Sequence, residues 1–486
     1  MEMMKKYCSY VNGEWLPDGK VLASINPSTG GQFAELACGT RETVDAAVEA
    51  AKAAFAGFKK TKRVERAALL RKMADRMEEN IDFLAEAECI DTGKTIGEAH
   101  LHMTFCIDTF RYFAAAIEAK EEIAISHDSG TISYVTREPL GVIGIIVAWN
   151  CPPMLLSWKL APALAMGNTV VIKPSVHAAA GVCEMIRIWA DLFEPGVVNI
   201  ILGESSEIGD YLQNHKGLNK LSFTGSTEVG RKIGAAAGNN LIPVTLELGG
   251  KSATVVFDDC DFERVIQKTC IGILSSAGEV CVGNSRAIVQ DTIYDKFVER
   301  IKNIFSNAVV GDAMDPKSQV GPVITEKHMN RVLSYIESGK EQGATLLAGG
   351  YRVTEDGCDK GYFVAPTLFG DVKHGMKIEQ EEIFGPVLCV SKFHTEEEAL
   401  ELANGTDYGL GAAVWTSDYF RAMKFGKELE AGIVWINDYL DTGVGQPFGG
   451  VKNSGIGREV NKVALDHYSQ VKNLCIVTDR SIPPVW

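Results

Sequence analysis

The 486-residue chain lacks any C-x-x-C pair or Cys/His cluster at zinc spacing, although twelve cysteines are scattered along it. That scatter fits free thiols in a reducing compartment, so a cytoplasmic protein without a metal site is expected. Positive charge is in deficit: a net charge of -15 argues against a nucleic-acid or anionic-membrane partner, which needs a cationic footprint, and leaves a small molecule. Met1 to Tyr7 carry no apolar core behind Lys5 and Lys6, so secretion has no support. One uncharged stretch, Pro139 to Trp158, has the length of a membrane span, but Asn150 and Pro152-Pro153 break it. Its first part, Val142 to Val147, reads as a buried parallel strand that runs into a turn. No internal repeat, low-complexity tract or disordered linker is visible. A strict G-x-G-x-x-G is also missing, which removes the commonest dinucleotide fingerprint.

What is present is globular material, 46% apolar and 23% charged, in a chain long enough for two or three cores. After a short strand region near Tyr10 to Ile25, the first 120 residues read as mainly helical. Val44, Ala47, Val48, Ala51, Phe55 and Phe58 recur at helical spacing behind Thr40, a suitable N-cap. The charged run from Lys59 to Glu79 continues as another amphipathic helix. From Pro139 to Ser252, β-branched runs alternate with helical segments: Val142 to Ala148, Thr169 to Ile172, Val197 to Ile201, Lys220 to Phe223 and Val244 to Leu246. That alternation marks βαβ units and a parallel sheet. A second alternating set follows Cys281, with strands expected at Ala287 to Val289, Val387 to Val390 and Ile433 to Ile436. Gly130 to Arg137 and Val471 to Val477 alternate like edge strands, which invite association when unpaired.

Glu247 lies in Leu246-Glu247-Leu248-Gly249-Gly250-Lys251, and Cys281 follows 34 residues later in Gly278-Glu279-Val280-Cys281-Val282-Gly283. A carboxylate and a thiol, each set in small residues, suit a base and a nucleophile that attacks a carbonyl carbon and releases a thioester to water. Phe223-Thr224-Gly225-Ser226-Thr227 follows a strand and opens a helix, so its N–H groups and the Ser226 hydroxyl suit a pyrophosphate; plain packing explains such a turn as well. Lys173-Pro174-Ser175 ends a buried strand, where open sheets place ligands, and a lysine that merely closes the strand is the alternative.

With Trp149-Asn150 ahead of them, Glu382-Ile383-Phe384-Gly385-Pro386 and Gly455-Ile456-Gly457-Arg458-Glu459 behind, these motifs stand in an order and spacing that resembles the NAD(P)-dependent aldehyde dehydrogenase superfamily. The resemblance runs from about Tyr10 to the C-terminal tail and implies an α/β fold. It implies a doubly wound cofactor domain from residues 1–120 and 140–249, and a second α/β catalytic domain over 250–447. A return segment spans 448–467, and a small β oligomerisation element combines 121–139 with 468–486. The implied nucleophile is Cys281, the water-activating base Glu247, and the oxyanion donors the Asn150 amide and the Cys281 backbone N–H. To serve as a base, Glu247 needs burial that raises its pKa toward neutrality. Around the cofactor the resemblance places Val147, Trp149, Lys173, Ser175, Val176, Gly225, Ser226, Leu248, Gly249, Glu382 and Phe384. Glu382 would hold the nicotinamide ribose, Lys173 the adenine ribose and Ser226 the pyrophosphate. Glu459 and Lys159 match a secondary proton path, with a surface or structural ion pair as the alternative. Trp158, Cys151, Tyr439 and Phe448 are the implied substrate pocket.

The implied reaction is oxidation of an aldehyde to a carboxylate with NAD or NADP, by a homodimer or homotetramer. CoA-acylating relatives usually lack a glutamate at the Glu247 position, and a non-catalytic relative would have lost the thiol or the base; both are present here. Three departures matter, the first and third for specificity and the second, at Ala148, only for backbone stiffness. Val176 stands where many NAD-preferring relatives carry a glutamate, so NADP is expected to be accepted alongside NAD. Ala148 replaces the proline usual before Trp-Asn. Trp158 and Phe448 match two walls of the aromatic box by which betaine and amino-aldehyde relatives hold cations, whereas Cys151 and Ser275 do not match the other two. The acidic loop with Asp438, Tyr439 and Asp441 favours a cation, so an amino or trimethylammonio aldehyde and a broad aliphatic preference both stay open.

Overall fold

The computed structural model describes residues 4–17 and 19–478; Met1 to Met3, at the head of the expected cofactor domain, and residues 479–486, at the end of the expected oligomerisation element, lie outside the described residues. Strands Val142–Val147, Thr169–Pro174, Val198–Ile200, Lys220–Thr224 and Val244–Glu247 are parallel neighbours. Their apolar runs are buried on both faces, which only a sheet covered by helices on each side allows. The chain moves outward from Val142–Val147 through Thr169–Pro174 to Val198–Ile200, then restarts on the other side with Lys220–Thr224 and Val244–Glu247. That reversal opens a crevice at the carboxyl ends of Val142–Val147 and Lys220–Thr224, where open α/β sheets bind ligands.

Helix Pro152–Ala165 makes the first crossover and begins with two prolines, whose missing N–H groups cost nothing in a first turn. Leu155, Leu156, Leu160 and Leu164 on it are buried, each worth about 1.5–3 kcal/mol. The helix that carries Trp158 and Lys159 is therefore firmly seated.

The N-terminal strand region is longer than the sequence suggested. Lys5–Val11, Lys20–Asn26 and Gly31–Cys38 extend the same sheet, and Gly31–Cys38 pairs with both of the others. Its mixed composition, GQFAELAC, carries little strand signal, and pairing on both sides makes it a strand. Helices Arg41–Phe58, Arg63–Glu79, Ile81–Thr92 and Ile96–Glu118 follow, the first opened by Thr40, whose N–H donates to Thr43 Oγ1 at 3.0 Å.

A second sheet orders Thr345–Ala348, Thr367–Gly370, Val387–Phe393, Arg286–Gln290, Ala253–Val256, Gly411–Trp415 and Ile433–Ile436, parallel except for the first. The chain then returns to the first sheet, where Gly455–Ile456 pairs with Val244–Glu247. A third sheet joins Ile123–His127, Thr131–Pro139 and Ser469–Val477. Thr131–Pro139, read from sequence as an edge, is the middle strand, because the five-residue Ile123–His127 pairs with its other side. Among the described residues Ser469–Val477 remains an edge. Ile123, Ile125, Val471, Leu474 and Ile476 of this sheet are exposed. No helix among the described residues is long and apolar enough to cross a membrane.

Candidate active site

A cavity of about 270 Å³ opens at the crevice, lined by Ala148, Trp149, Asn150, Thr224, Gly225, Ser226, Leu248, Gly249, Cys281, His328, Arg331, Glu382 and Phe384. Nine residues singled out from sequence thus meet: Trp149, Asn150, Gly225, Ser226, Leu248, Gly249, Cys281, Glu382 and Phe384. His328 and Arg331 were not foreseen. Both lie on helix Glu326–Glu341, where a histidine and an arginine three residues apart read as surface. His328 Nε2 lies 2.6 Å from the Phe384 carbonyl, and burial holds the ring down at about 4, so it is neutral and donates. Arg331 donates to the carbonyls of Ile383 at 2.6 Å and Glu382 at 2.8 Å. Together they hold a loop in which Phe384 has φ +62° and packs edge-on against Trp149 at 5.3 Å.

Two glycines sit against side-chain tips that an added Cβ would displace. A Cβ on Gly249 would lie 2.4 Å from Glu382 Oε2, and one on Gly225 would lie 2.5 Å from the Phe223 ring. Glu382 Oε1 accepts from the Gly250 N–H at 3.0 Å, and burial raises this carboxyl to about 7. Ser226 caps helix Thr227–Asn240, its Oγ accepting from the Val229 N–H at 3.4 Å. The positive end of that fourteen-residue helix faces the cavity.

Cys281 follows helix Phe262–Leu274 through Ser276 at φ 47°, Ala277 at φ 52° and Gly278 at φ 76°. Left-handed backbone at two non-glycine residues costs roughly 1–2 kcal/mol each, and Glu98 Oε1 helps to hold it by accepting from the Ser276 N–H at 2.7 Å. Serine and alanine give no sequence signal for such a turn. Burial raises the Cys281 thiol, and the charges of Glu247, Cys151 and Glu382 add to the effect.

Glu247 ends its strand only 3% exposed, and neither carboxylate oxygen has a protein partner among the described residues. Burial first, then Glu459, push its pKa well above the carboxylate range, against the pull of Lys159 and Arg458. Asn150 is 7% exposed, and its Nδ2 donates to the Glu279 carbonyl at 3.0 Å. Lys159 Nζ bonds Glu459 Oε2 at 2.8 Å and Thr224 Oγ1 at 2.7 Å, both charges fully buried, which rules out a surface pair.

Other expected residues lie outside this cavity. Val147 is buried in its strand. Lys173 is buried one strand over, its Nζ 3.2 Å from the Pro174 carbonyl and 3.4 Å from Ser205 Oγ, with burial lowering it to about 8. Ser175 and Val176 beside it are half-buried and His177 is exposed.

The substrate residues divide. Trp158 and Phe448 pack with ring centroids 4.7 Å apart and planes tilted by 49°, and Phe105, hidden in sequence on helix Ile96–Glu118, adds a third ring 6.1 Å from Trp158. Ile433, Gly443, Gln446 and Val460 close round them, leaving a second cavity of about 10 Å³. Tyr439 is no wall of either cavity: it is 1% exposed, its hydroxyl donates to the Val282 carbonyl and its ring packs on Trp435 at 4.8 Å. Asp438 pairs with Arg264 at 2.8 Å and Lys268 at 2.5 Å and is neutralised, whereas Asp441 is exposed. Cys151 is buried outside both cavities; burial pushes its thiol up, but Lys94 and His102 outweigh that and lower it.

The sequence matches the model of the Aldehyde dehydrogenase family over residues 15–474. An aldehyde dehydrogenase of Deinococcus radiodurans is 42% identical over 480 residues, covering 97% of this chain and 93% of that one. Another from Rhodospirillum rubrum is 43% identical over 484 residues, covering 98% and 95%. Betaine aldehyde dehydrogenase of Staphylococcus aureus, solved in complex with NAD+, is similar with a TM-score of 0.95 and 36% identity, covering 98% of this chain and 95% of that one. A family match over nearly the whole length agrees with the doubly wound sheet and its loaded crevice, and this chain belongs to the aldehyde dehydrogenase family.

Proposed function

We propose that the protein oxidises an aldehyde to its carboxylate by a hydrolytic, cysteine-based route with NAD or NADP. The observation that carries this reading is one cavity that joins Cys281, Asn150 and the Gly249–Glu382 contact, with buried Glu247 two residues before the Gly249 wall. The cavity suits a dinucleotide: Gly225 and Gly249 admit close approach, a helix N-terminus offers N–H groups, and Glu382 presents a carboxylate to ribose hydroxyls. When bound, the nicotinamide takes the hydride.

Cys281 adds to the carbonyl carbon, and because burial favours its protonated thiol the S–H proton passes to water in the open cavity as the C–S bond forms. The Asn150 amide and the Cys281 backbone N–H meet the developing oxyanion. After hydride loss, the acyl group is a thioester on Cys281. Glu247 takes a proton from water, whose oxygen attacks the thioester carbon and frees the Cys281 sulfur. The Lys159–Glu459 pair, bonded to Thr224, gives Glu247 a buried neighbour to which its proton passes. Aldehyde, NAD(P)+ and water become carboxylate, NAD(P)H and two protons. The presence of Glu247 argues against CoA as acyl acceptor.

For substrate, the rings of Trp158, Phe448 and Phe105 favour a cationic aldehyde, amino or trimethylammonio. A second reading, a broad aliphatic preference, is favoured by the pairing of Asp438 with Arg264 and Lys268. The half-buried Val176 brings no charge against a 2′-phosphate, which supports NADP alongside NAD. The exposed apolar residues and free edges of the third sheet support a homodimer or homotetramer, and twelve free cysteines support a cytoplasmic setting. The three larger sheets support the division into cofactor, catalytic and oligomerisation units.

NAD(P)H formation on a matched panel of cationic, aliphatic and aromatic aldehydes, without CoA and with each cofactor in turn, tests the reading. Turnover without CoA is expected, and an absolute need for CoA overturns the hydrolytic route. A kcat/KM no better for betaine aldehyde or aminobutyraldehyde than for an uncharged aldehyde of equal length ends the cationic reading. No turnover with NADP ends the dual-cofactor reading.

A further inference from the structure

Lys94, in the loop between helices Ile81–Thr92 and Ile96–Glu118, is 2% exposed and has no part in the chemistry above. Its ammonium donates to Glu88 Oε1 at 2.5 Å and to the main-chain carbonyl of Asn150 at 2.9 Å, and lies 2.9 Å from His102 Nδ1. Glu88 is 1% exposed. A buried ion pair of this kind gains little stability over apolar residues of the same volume, because both charges lose their water. Its effect has to be sought in what it holds.

What it holds is the turn between strand Val142–Val147 and helix Pro152–Ala165. Cys151, in the N-cap position, makes no side-chain cap bond, and Pro152 and Pro153 have no N–H to offer. The Asn150 carbonyl is anchored instead by Lys94, 56 residues away in sequence. On its other side, Asn150 Nδ2 donates to the main-chain carbonyl of Glu279, two residues before Cys281. With carbonyl and amide both tied, the second N–H of the amide has one direction to point.

We infer that Lys94, braced by Glu88, is a positioning residue that aims the Asn150 amide at the oxyanion formed on attack by Cys281. The inference rests on the oxyanion role proposed for Asn150. It predicts that Lys94 acts on catalysis through Asn150 alone.

The test is a double-mutant cycle of Lys94→Gln and Asn150→Ala, read as kcat/KM for one aldehyde at saturating NAD, with NAD binding followed separately by protein fluorescence. Asn150→Ala is expected to lower kcat/KM by about 10²–10³-fold, and Lys94→Gln by about tenfold to a hundredfold through misplacement of the donor. NAD affinity is expected to be unchanged in Lys94→Gln. In the Asn150→Ala background, Lys94→Gln should add no further loss, since both act on one interaction. Losses that multiply, or full activity in Lys94→Gln, overturn the inference and leave the oxyanion role standing. Full activity in Asn150→Ala overturns both. If Lys94→Gln does not fold because Glu88 is left unpaired, the double variant Glu88→Gln/Lys94→Gln removes both charges and carries the same cycle with the same outcomes.

Discussion

Glu247→Gln should stabilise the protein above neutral pH while nearly silencing it. Glu247 is 3% exposed, without a protein partner for either oxygen among the described residues, and burial and Glu459 raise its pKa well above the carboxylate range. The folded state therefore holds the Glu247 proton more tightly than the unfolded chain, where the pKa is about 4.3. Stability that is fully present below that value is lost as pH rises to the folded pKa, at about 1.4 kcal/mol per pH unit crossed. Glutamine has no charge to bury, so the variant keeps this stability, and its advantage grows between pH 5 and pH 8. In domains of about 150–250 residues each kcal/mol moves Tm by about 2–4 °C, a shift that thermal scans at the two pH values resolve. Activity moves the other way. A positioned base contributes about 10²–10⁴-fold, and steady-state kcat should fall by that factor. Stopped-flow mixing should still show a burst of about one NADH per active site, because acylation of Cys281 precedes the step that is lost. An unchanged kcat, or a Tm at pH 8 below that of the unaltered protein, would refute the reasoning.

Cys281→Ala should lose both burst and turnover while still binding NAD by fluorescence titration; intact turnover would sink the proposed nucleophile. Gly249→Ala places a Cβ 2.4 Å from Glu382 Oε2, and overpacking of about 1–3 kcal/mol should raise the KM for NAD about tenfold or more; an unchanged KM would mean that the Glu382 loop yields freely. Lys159→Met leaves Glu459 unpaired in the interior, at a cost of about 3–5 kcal/mol. It also removes a cation that lowers the Glu247 pKa, so the acid limb of the kcat–pH profile should move to higher pH, and a shift to lower pH would contradict the electrostatics.

Legibility in the sequence followed how local each signal was. Val142–Val147 and Thr169–Pro174 stood out because a strand buried on both faces carries a continuous apolar run, Val142 to Val147 in the first and Val170 to Ile172 in the second. Gly31–Cys38 did not, since its residues are ordinary and its pairing supplies the order. The same contrast runs through the site. Cys281, Glu247 and Asn150 stand in short motifs rich in small residues or proline near the ends of strands or helices. Phe105, His328, Arg331 and Lys94 sit on or beside unremarkable helices, and their roles come from what packs against them from far along the chain.

By itself the sequence determined the alternation of strand and helix, hence the parallel sheets, and supplied the thiol, the carboxylate and the amide in a family's order. Tertiary structure alone decided their state. It buried Glu247 near Glu459 and so raised its basicity, set Cys281 behind a left-handed turn, neutralised Asp438 with Arg264 and Lys268, and withdrew Tyr439 into the core. The type of a local element follows from nearby residues, whereas a group's charge and aim depend on burial and on neighbours that only folding brings within a few ångströms.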